Sequence, residues 1–331
     1  MTSDAMLADP LHARKRLLAW FGREGRKLPW RSVRDPYAVV VSEFMLQQTT
    51  VATVTPRFAE WMQIFPEVFQ LAAASEGQVL KAWQGLGYYT RARNLHRAAK
   101  VVASEFGGQF PKSLEGLRKL PGFGPYTAAA VMAFAFDRPV PVLDANIERV
   151  MCRLIDCRTP LRSPSTRRVL VEALEQLLPA QRGGRRIISA LMDHGALVCR
   201  SRKPLCDTCC LRDVCRAKEP ELLPVKAPRT PPTQRGEWRC LFSTDGHLAL
   251  VQSQGPHWKG LWLLPPAEQS DVVAYSETYA ITRFRVSLRV VVADGPPKGA
   301  TLFNLSDLPA MPSPHARAVA AITKQLHIKE E

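Results

Sequence analysis

Leu120-Pro121-Gly122-Phe123-Gly124-Pro125-Tyr126-Thr127 forms a short turn signal between two stretches whose apolar residues recur at helical intervals. Two glycines in such a turn let backbone N–H groups come close to a phosphate, and the following helix adds its positive N-terminal end. Taken alone, the stretch also fits an ordinary connection between two helices. Ala128–Phe136 continues the second helix, and Asp144 follows shortly after.

Working outward, the periodicity predicts helices over Ala13–Phe21, Tyr37–Gln48, Ser75–Trp83, Ala92–Phe106, Tyr126–Phe136, Ala145–Ile155, Thr166–Leu178 and Arg186–Val198. Strand signals are few in this part. Residues 217–236 carry five prolines and several charges, which resist regular structure and predict an extended linker. Beyond it, Trp238–Phe242, His247–Val251, Tyr279–Phe284 and Ser287–Val292 are expected as short strands between Gly and Pro signals. The expected organisation is an all-α domain over 1–216, a Pro-rich linker over 217–236, and a small α+β domain over 237–331. A chain of 331 residues can bury two such cores. The formal charge of +15 points to a polyanionic partner, nucleic acid above all. No apolar run approaches the roughly 18 residues needed to cross a bilayer. Met1–Pro10 shows no signal-peptide core, so a cytoplasmic protein without a membrane partner is expected.

Cys199, Cys206, Cys209 and Cys215 stand as C-x6-C-x2-C-x5-C, four soft ligands within 17 residues. Such a set suits an iron–sulfur cluster, with zinc as the second choice. Cys152, Cys157, Cys210 and Cys240 lack a comparable spacing and fit small buried side chains. Two carboxylates also stand out. Glu43 lies among Val39, Val40, Phe44, Met45 and Leu46, and an apolar setting drives a carboxylate toward its protonated form, as a general acid requires. Asp144 directly precedes an apolar helix, where it fits an N-cap. A capping carboxylate can also face a cleft.

Trp30-Arg31, the Glu43 segment, Trp83-Gln84-Gly85-Leu86-Gly87-Tyr88-Tyr89, the glycine turn, Asp144 with Asn146, and the cysteine loop occur in that order. Together they resemble a bacterial adenine DNA glycosylase of the MutY family, within the endonuclease III-like helix-hairpin-helix superfamily. The resemblance is strong over residues 12–216. Around Trp258–Pro265 it is weaker, to the family's Nudix-like recognition domain; a small domain that merely packs is the alternative there. No glutamate-rich Nudix hydrolase motif is present, so recognition and no pyrophosphatase chemistry is expected.

The resemblance implies a monofunctional enzyme of base excision repair, acting as a monomer on double-stranded DNA and holding one 4Fe–4S cluster on the four cysteines. It would hydrolyse the glycosidic bond of adenine opposite 8-oxoguanine or guanine. Glu43 would protonate the base and help water attack, Asp144 would stabilise the sugar cation, and Asn146 and Tyr126 would hold the geometry. Tyrosine at 126 excludes the Schiff-base chemistry of the lysine-bearing branch. Trp30, Arg31 and Leu46 would line the base pocket, and Gln48, Thr49, Leu86 and Tyr88 would probe the duplex. Gly122, Gly124, Arg200, Arg202 and Lys203 would grip its backbone.

Two stretches depart from the family. Its pattern Phe-Asn-Gln/Glu-Ala-x-x-Asp/Glu-Leu-Gly reads here Ile187-Ile188-Ser189-Ala190-Leu191-Met192-Asp193-His194-Gly195, which puts Ser189 where a long polar side chain meets the flipped adenine. Its Phe-Ser-His loop is missing, the nearest stretch being Ile281–Val286. The departures leave open a paralogue with the same catalysis on another base. A DNA-binding protein without activity is the rival from another class, opposed by the intact Glu43 and Asp144.

Overall fold

The computed structural model describes residues 6–161, 163–226, 230–255 and 257–327. Its helices are α1 (Pro10–Glu24), α2 (Pro36–Leu46), α3 (Val51–Ile64), α4 (Val68–Ala73), α5 (Glu76–Ala82), α6 (Thr90–Glu105), α7 (Leu114–Arg118), α8 (Pro125–Phe134), α9 (Ala145–Leu154), α10 (Pro164–Leu177), α11 (Gly184–Leu197) and α12 (Ser313–His327). Local chemistry starts many of them. Asp9 and Asp35 cap α1 and α2 through their side chains, each followed by proline at the first helical position. Ser113 caps α7 and Asp144 caps α9. All eight expected helices are present, with ends shifted by up to three residues. The helix expected to run to Gln48 stops at Leu46, because Gln48 turns the chain at φ 57°. Helices α3, α4, α7 and α12 were not expected: α3 carries Pro56 inside it, and α4 and α7 are too short to show a period.

The chain forms two compact units that do not follow chain order. The first comprises Met1–Met62, Glu67–Phe69 and Ala98–Pro228; the second comprises Gln63–Pro66, Gln70–Arg97 and Arg229–Glu331. In the first unit Leu17, Ile147, Met151, Leu174, Ile188 and Leu191 are fully buried in a core drawn from α1, α9, α10 and α11. Helix α11 comes close to α9 because Gly195 has no side chain: a Cβ there would meet the Asn146 Cβ at 2.7 Å.

The second unit contains β1 (Thr233–Leu241), β2 (Ser243–Thr244), β3 (His247–Gln252), β4 (Trp262–Leu263), β5 (Tyr275–Ile281), β6 (Phe284–Val292) and β7 (Thr301–Asn304). One sheet has the order β1-β6-β5, with β1 parallel and β5 antiparallel to β6. The other runs β2-β3-β4, with β7 also paired to β3. Leu248, Leu250, Leu288, Val290, Val319 and Ile322 join both sheets to α12. Residues 70–97 share this unit through the Tyr89 hydroxyl on the Met311 carbonyl at 2.9 Å, the Lys81–Asp307 pair, and Arg93 on the Lys259 carbonyl. Two expectations need correction. Strand β1 begins at Thr233, inside the stretch expected as linker, because Thr233 already stands in register with Phe284. Residues 227–229 of that linker lie outside the described residues. Phe284 starts β6 and does not end the preceding strand, since Thr282 turns the chain at φ 52° without a glycine signal.

Candidate active site

A cavity of about 520 Å³ opens in the first unit, lined from the Pro29–Arg31 turn, α2, the loop behind it, and the starts of α8 and α9, with Arg185 and Met192 from α11. Glu43 lies in its wall at 6% exposure. Burial pushes its carboxyl up to about 7, the nearby Asp144 pushes the same way, and Arg31 and a hydrogen bond from Tyr126 oppose the shift. Burial and the two carboxylates push the Tyr126 hydroxyl well above its ordinary range, so it stays a donor. Trp30 is buried against Phe58, ring centroids 5.7 Å apart, and Leu46, Gln48 and Thr49 line the same cavity.

Asp144 faces this cavity while capping α9. Its Oδ1 accepts from the Ile147 N–H at 2.7 Å and its Oδ2 from Asn146 Nδ2 at 3.0 Å. Asn146 is held in turn by Arg149, whose Nη2 donates to Asn146 Oδ1 at 2.9 Å and to the Gly195 carbonyl at 2.7 Å. The same guanidinium donates through Nε to the Cys199 carbonyl at 2.7 Å. One buried cation thus connects the carboxylate's partner to the start of the cysteine loop.

Arg31 is fixed from behind. Its Nη2 and the Arg26 Nε and Nη2 all donate to Asp193 Oδ1, while the Arg26 N–H donates to Oδ2. Asp193 is fully buried, and these four donors compensate its charge. Burial works against the Arg31 charge, and Asp193 supports it. Ser189, at the position where the family carries a long polar side chain and expected in the pocket, is 2% exposed, has no partner for its hydroxyl among the described residues, and is not in the cavity lining. Arg185 and Met192, four residues before it and three after on the same face of α11, line the cavity instead.

In the glycine turn, Gly122 stands at φ 79°, where an L side chain is strained. Gly124 precedes Pro125 of α8 at φ −74°, and open space lies where its Cβ would be. Its missing side chain keeps the start of α8 uncovered.

Leu86 and Tyr88 belong to the second unit. Leu86 is 4% exposed and Tyr88 is 47% exposed at φ 47°, its ring under the Arg91 guanidinium at 5.7 Å. Both line a cavity of about 370 Å³ shared with Trp258, Tyr279 and Thr282. Arg283 stacks over Phe284 at 5.1 Å.

Cys199, Cys206, Cys209 and Cys215 surround one cavity of about 350 Å³ in the first unit. Among the described residues no group of three or more His, Cys, Asp or Glu is gathered to hold a metal ion. Arg153 Nη1 reaches Cys199 Sγ at 3.2 Å, His194 Nε2 lies 3.3 Å from Cys209 Sγ, and the Leu211 N–H donates to that sulfur at 3.4 Å. Arg200, Arg202 and Lys203 are exposed on the same loop. Sequence reasoning missed Arg26, Arg149, Asp193 and Arg185. Arg149, a cation three residues after Asn146, offered no signal of its own, since Glu148 and Arg153 carry charges on the same helix.

A family model described as HhH-GPD superfamily base excision DNA repair protein matches residues 41–176. The adenine DNA glycosylase of Buchnera aphidicola subsp. Baizongia pistaciae is 32% identical over 268 residues, covering 78% of this chain and 75% of that protein. The chain belongs to the adenine DNA glycosylase family of that superfamily. The mouse adenine DNA glycosylase is 41% identical over 220 residues, and the match spans 64% of this chain and 42% of the mouse protein. Among solved structures, a thermostable thymine-DNA glycosylase matches with a TM-score of 0.56 and 29% identity, over 62% of this chain and 95% of its own. A trapped endonuclease III–DNA covalent intermediate shares the fold, with a TM-score of 0.52 and 22% identity over 62% of this chain and 93% of its own. Among the described residues no helix is long and apolar enough to cross a membrane.

Proposed function

We propose that the protein is a monofunctional DNA glycosylase that hydrolyses the N-glycosidic bond of adenine opposite 8-oxoguanine or guanine, acting as a monomer on double-stranded DNA in the cytoplasm. One observation carries this: Glu43, with its carboxyl raised to about 7 and bonded by Tyr126, faces the same cavity as the Asp144 carboxylate. The Glu43 proton goes to a ring nitrogen of the flipped purine, so the electron pair of the breaking C1′–N9 bond leaves with a neutral base. Asp144, oriented by Asn146 and the Ile147 N–H, stabilises the positive charge left on the sugar. Glu43, now ionised, takes a proton from the water that attacks C1′, and an abasic sugar results. Tyr126 offers no amine, so the strand is not cut.

The start of α8 behind Gly122 and Gly124 supports backbone contact with phosphate, and Arg200, Arg202 and Lys203 support more of it. Gln48, Thr49, Leu86 and Tyr88 would meet the duplex. Four thiolates around one cavity suit a 4Fe–4S cluster, which when bound supplies the metal–sulfur bonds that hold loop 199–215 in shape. The second unit, with its Trp258–Pro265 stretch, would act as a Nudix-like recognition domain.

The lining of Arg185 and Met192 without Ser189 favours, as a second reading, the same catalysis on another base. The test is a panel of duplexes with adenine or a damaged purine opposite guanine, 8-oxoguanine and thymine, treated with alkali after single-turnover incubation. Adenine excision that vanishes in Glu43→Gln supports the main reading. Excision of another base alone selects the second, and no cleavage on any duplex refutes both.

A further inference from the structure

We propose that His194 is a positioning residue for the metal cluster: its Nε2–H hydrogen-bonds the Cys209 sulfur and so sets how readily the cluster gives up an electron. This rests on reading Cys199, Cys206, Cys209 and Cys215 as cluster ligands. His194 stands where the family pattern carries leucine, is 1% exposed, and brings Nε2 to 3.3 Å from Cys209 Sγ. A metal-bound thiolate offers lone pairs and no proton, so the ring nitrogen facing it is the donor. The indole of Trp20 meets the imidazole edge-on at 5.4 Å and an interplanar angle of 87°, which fixes the ring.

A space-filling role explains the residue poorly. Its Nδ1 is buried with no partner among the described residues, a desolvation cost that leucine would not incur. The contact with sulfur is what an imidazole supplies and leucine cannot. Cys209 Sγ also accepts the Leu211 N–H at 3.4 Å, so His194 gives this one ligand a second donor. N–H donors draw negative charge off a coordinated sulfur, favour the reduced cluster and raise its potential. Losing the donor should therefore make one-electron oxidation easier.

The experiment uses the full chain as purified, bound to a non-cleavable duplex. Iron and sulfide are counted first, and the cluster is then titrated against redox mediators at an electrode with the oxidised form read by electron paramagnetic resonance. His194→Leu should load iron like wild type yet shift the oxidation equilibrium about tenfold toward the oxidised form, a midpoint lower by ~59 mV for one electron. His194→Gln, which keeps an N–H near the sulfur, should recover part of the shift. Ferricyanide should also release iron from the leucine variant faster. An unmoved midpoint in an iron-replete His194→Leu, or equal midpoints for the two variants, overturns the inference and leaves the cluster reading intact. If His194→Leu does not load iron, the glutamine variant decides: a midpoint below wild type supports the proposal, and one equal to or above it overturns it. Wild-type protein without iron removes the cluster reading and this inference together.

Discussion

Replacing Arg149 by methionine keeps the aliphatic bulk and removes the cation that ties the cysteine loop to the Asp144–Asn146 pair. Four hydrogen bonds disappear: to the carbonyls of Cys199, Gly195 and Ala145 and to Asn146 Oδ1. A hydrogen bond to a charged group is worth about 1.5–3 kcal/mol, but these four share one ion whose own burial is costly and do not add. A net loss of about 3 kcal/mol is expected, which for a chain of this size lowers Tm by about 4–5 °C. Excision should suffer separately. Asn146 Nδ2 still faces Asp144, but nothing holds its Oδ1, and a displacement of ~1 Å at a reacting group costs on the order of 10²-fold in rate. Arg149→Lys reaches one end of the network and should fall between. Differential scanning calorimetry and single-turnover excision at saturating enzyme measure the two effects. A methionine variant melting with wild type and cleaving within about threefold of it refutes the positioning role.

The raised Glu43 carboxyl predicts a pH dependence with a definite sign. A folded value of about 7 against an ordinary carboxylate near 4.5 means its contribution to stability is whole below about pH 4.5 and is lost as pH rises through 7. Glu43→Gln should therefore be more stable than wild type at about pH 8 by up to about 3 kcal/mol, with the gap closing at about pH 4, measured by urea denaturation. Equal stability at both pH values contradicts the burial argument. Wild-type single-turnover rate should decline above about pH 7, and Glu43→Gln should lose roughly 10²–10⁴-fold below that pH. Borohydride should trap no protein–DNA adduct, because the group at 126 is a phenol; a trapped adduct overturns the monofunctional reading. Preference for 8-oxoguanine over guanine opposite adenine should stay below about a thousandfold, roughly 4 kcal/mol, since Ser189 is out of the cavity lining and Arg283 stacks on Phe284. A larger ratio in single-turnover assays means that other residues read the partner base.

The two carboxylates proposed as the catalytic pair could be picked from the sequence because both sit in telling local settings, and the structure brings them to one cavity. Glu43 has apolar neighbours on nearly every side of α2, and Asp144 stands just ahead of a helix. The elements around them were legible for the same reason, a periodicity that burial imposes. What escaped was decided by contacts far apart in the chain. Arg149 looks like a solvated helix charge until Cys199 and Gly195 come to meet it. Asp193 gains meaning only beside Arg26 and Arg31, more than 160 residues earlier. Ser189 has the right spacing on α11 to face the cavity, but its short side chain is out of the lining that Arg185 and Met192 reach. The first residues of strand β1 escape a sequence reading because Thr233–Gly236 follow Pro231 and Pro232 directly and carry no apolar residue.

The second unit draws its residues from two distant parts of the chain, and this limits how the protein can be taken apart. A cut in the Pro-rich stretch would not separate the two units cleanly. It would part Tyr89, 3% exposed and hydrogen-bonded to the Met311 carbonyl, from that partner, leaving the phenol on the N-terminal fragment facing water. The core of Leu248, Leu250, Leu288, Val290, Val319 and Ile322 would stay whole in the C-terminal fragment, while residues 70–97 would lose their partners Met311, Asp307 and Lys259 and should become prone to proteolysis. Grafting the C-terminal sheets onto another scaffold would need residues 70–97 to travel with them, and a proteolytic map should protect Arg93 and Lys259 together or expose them together.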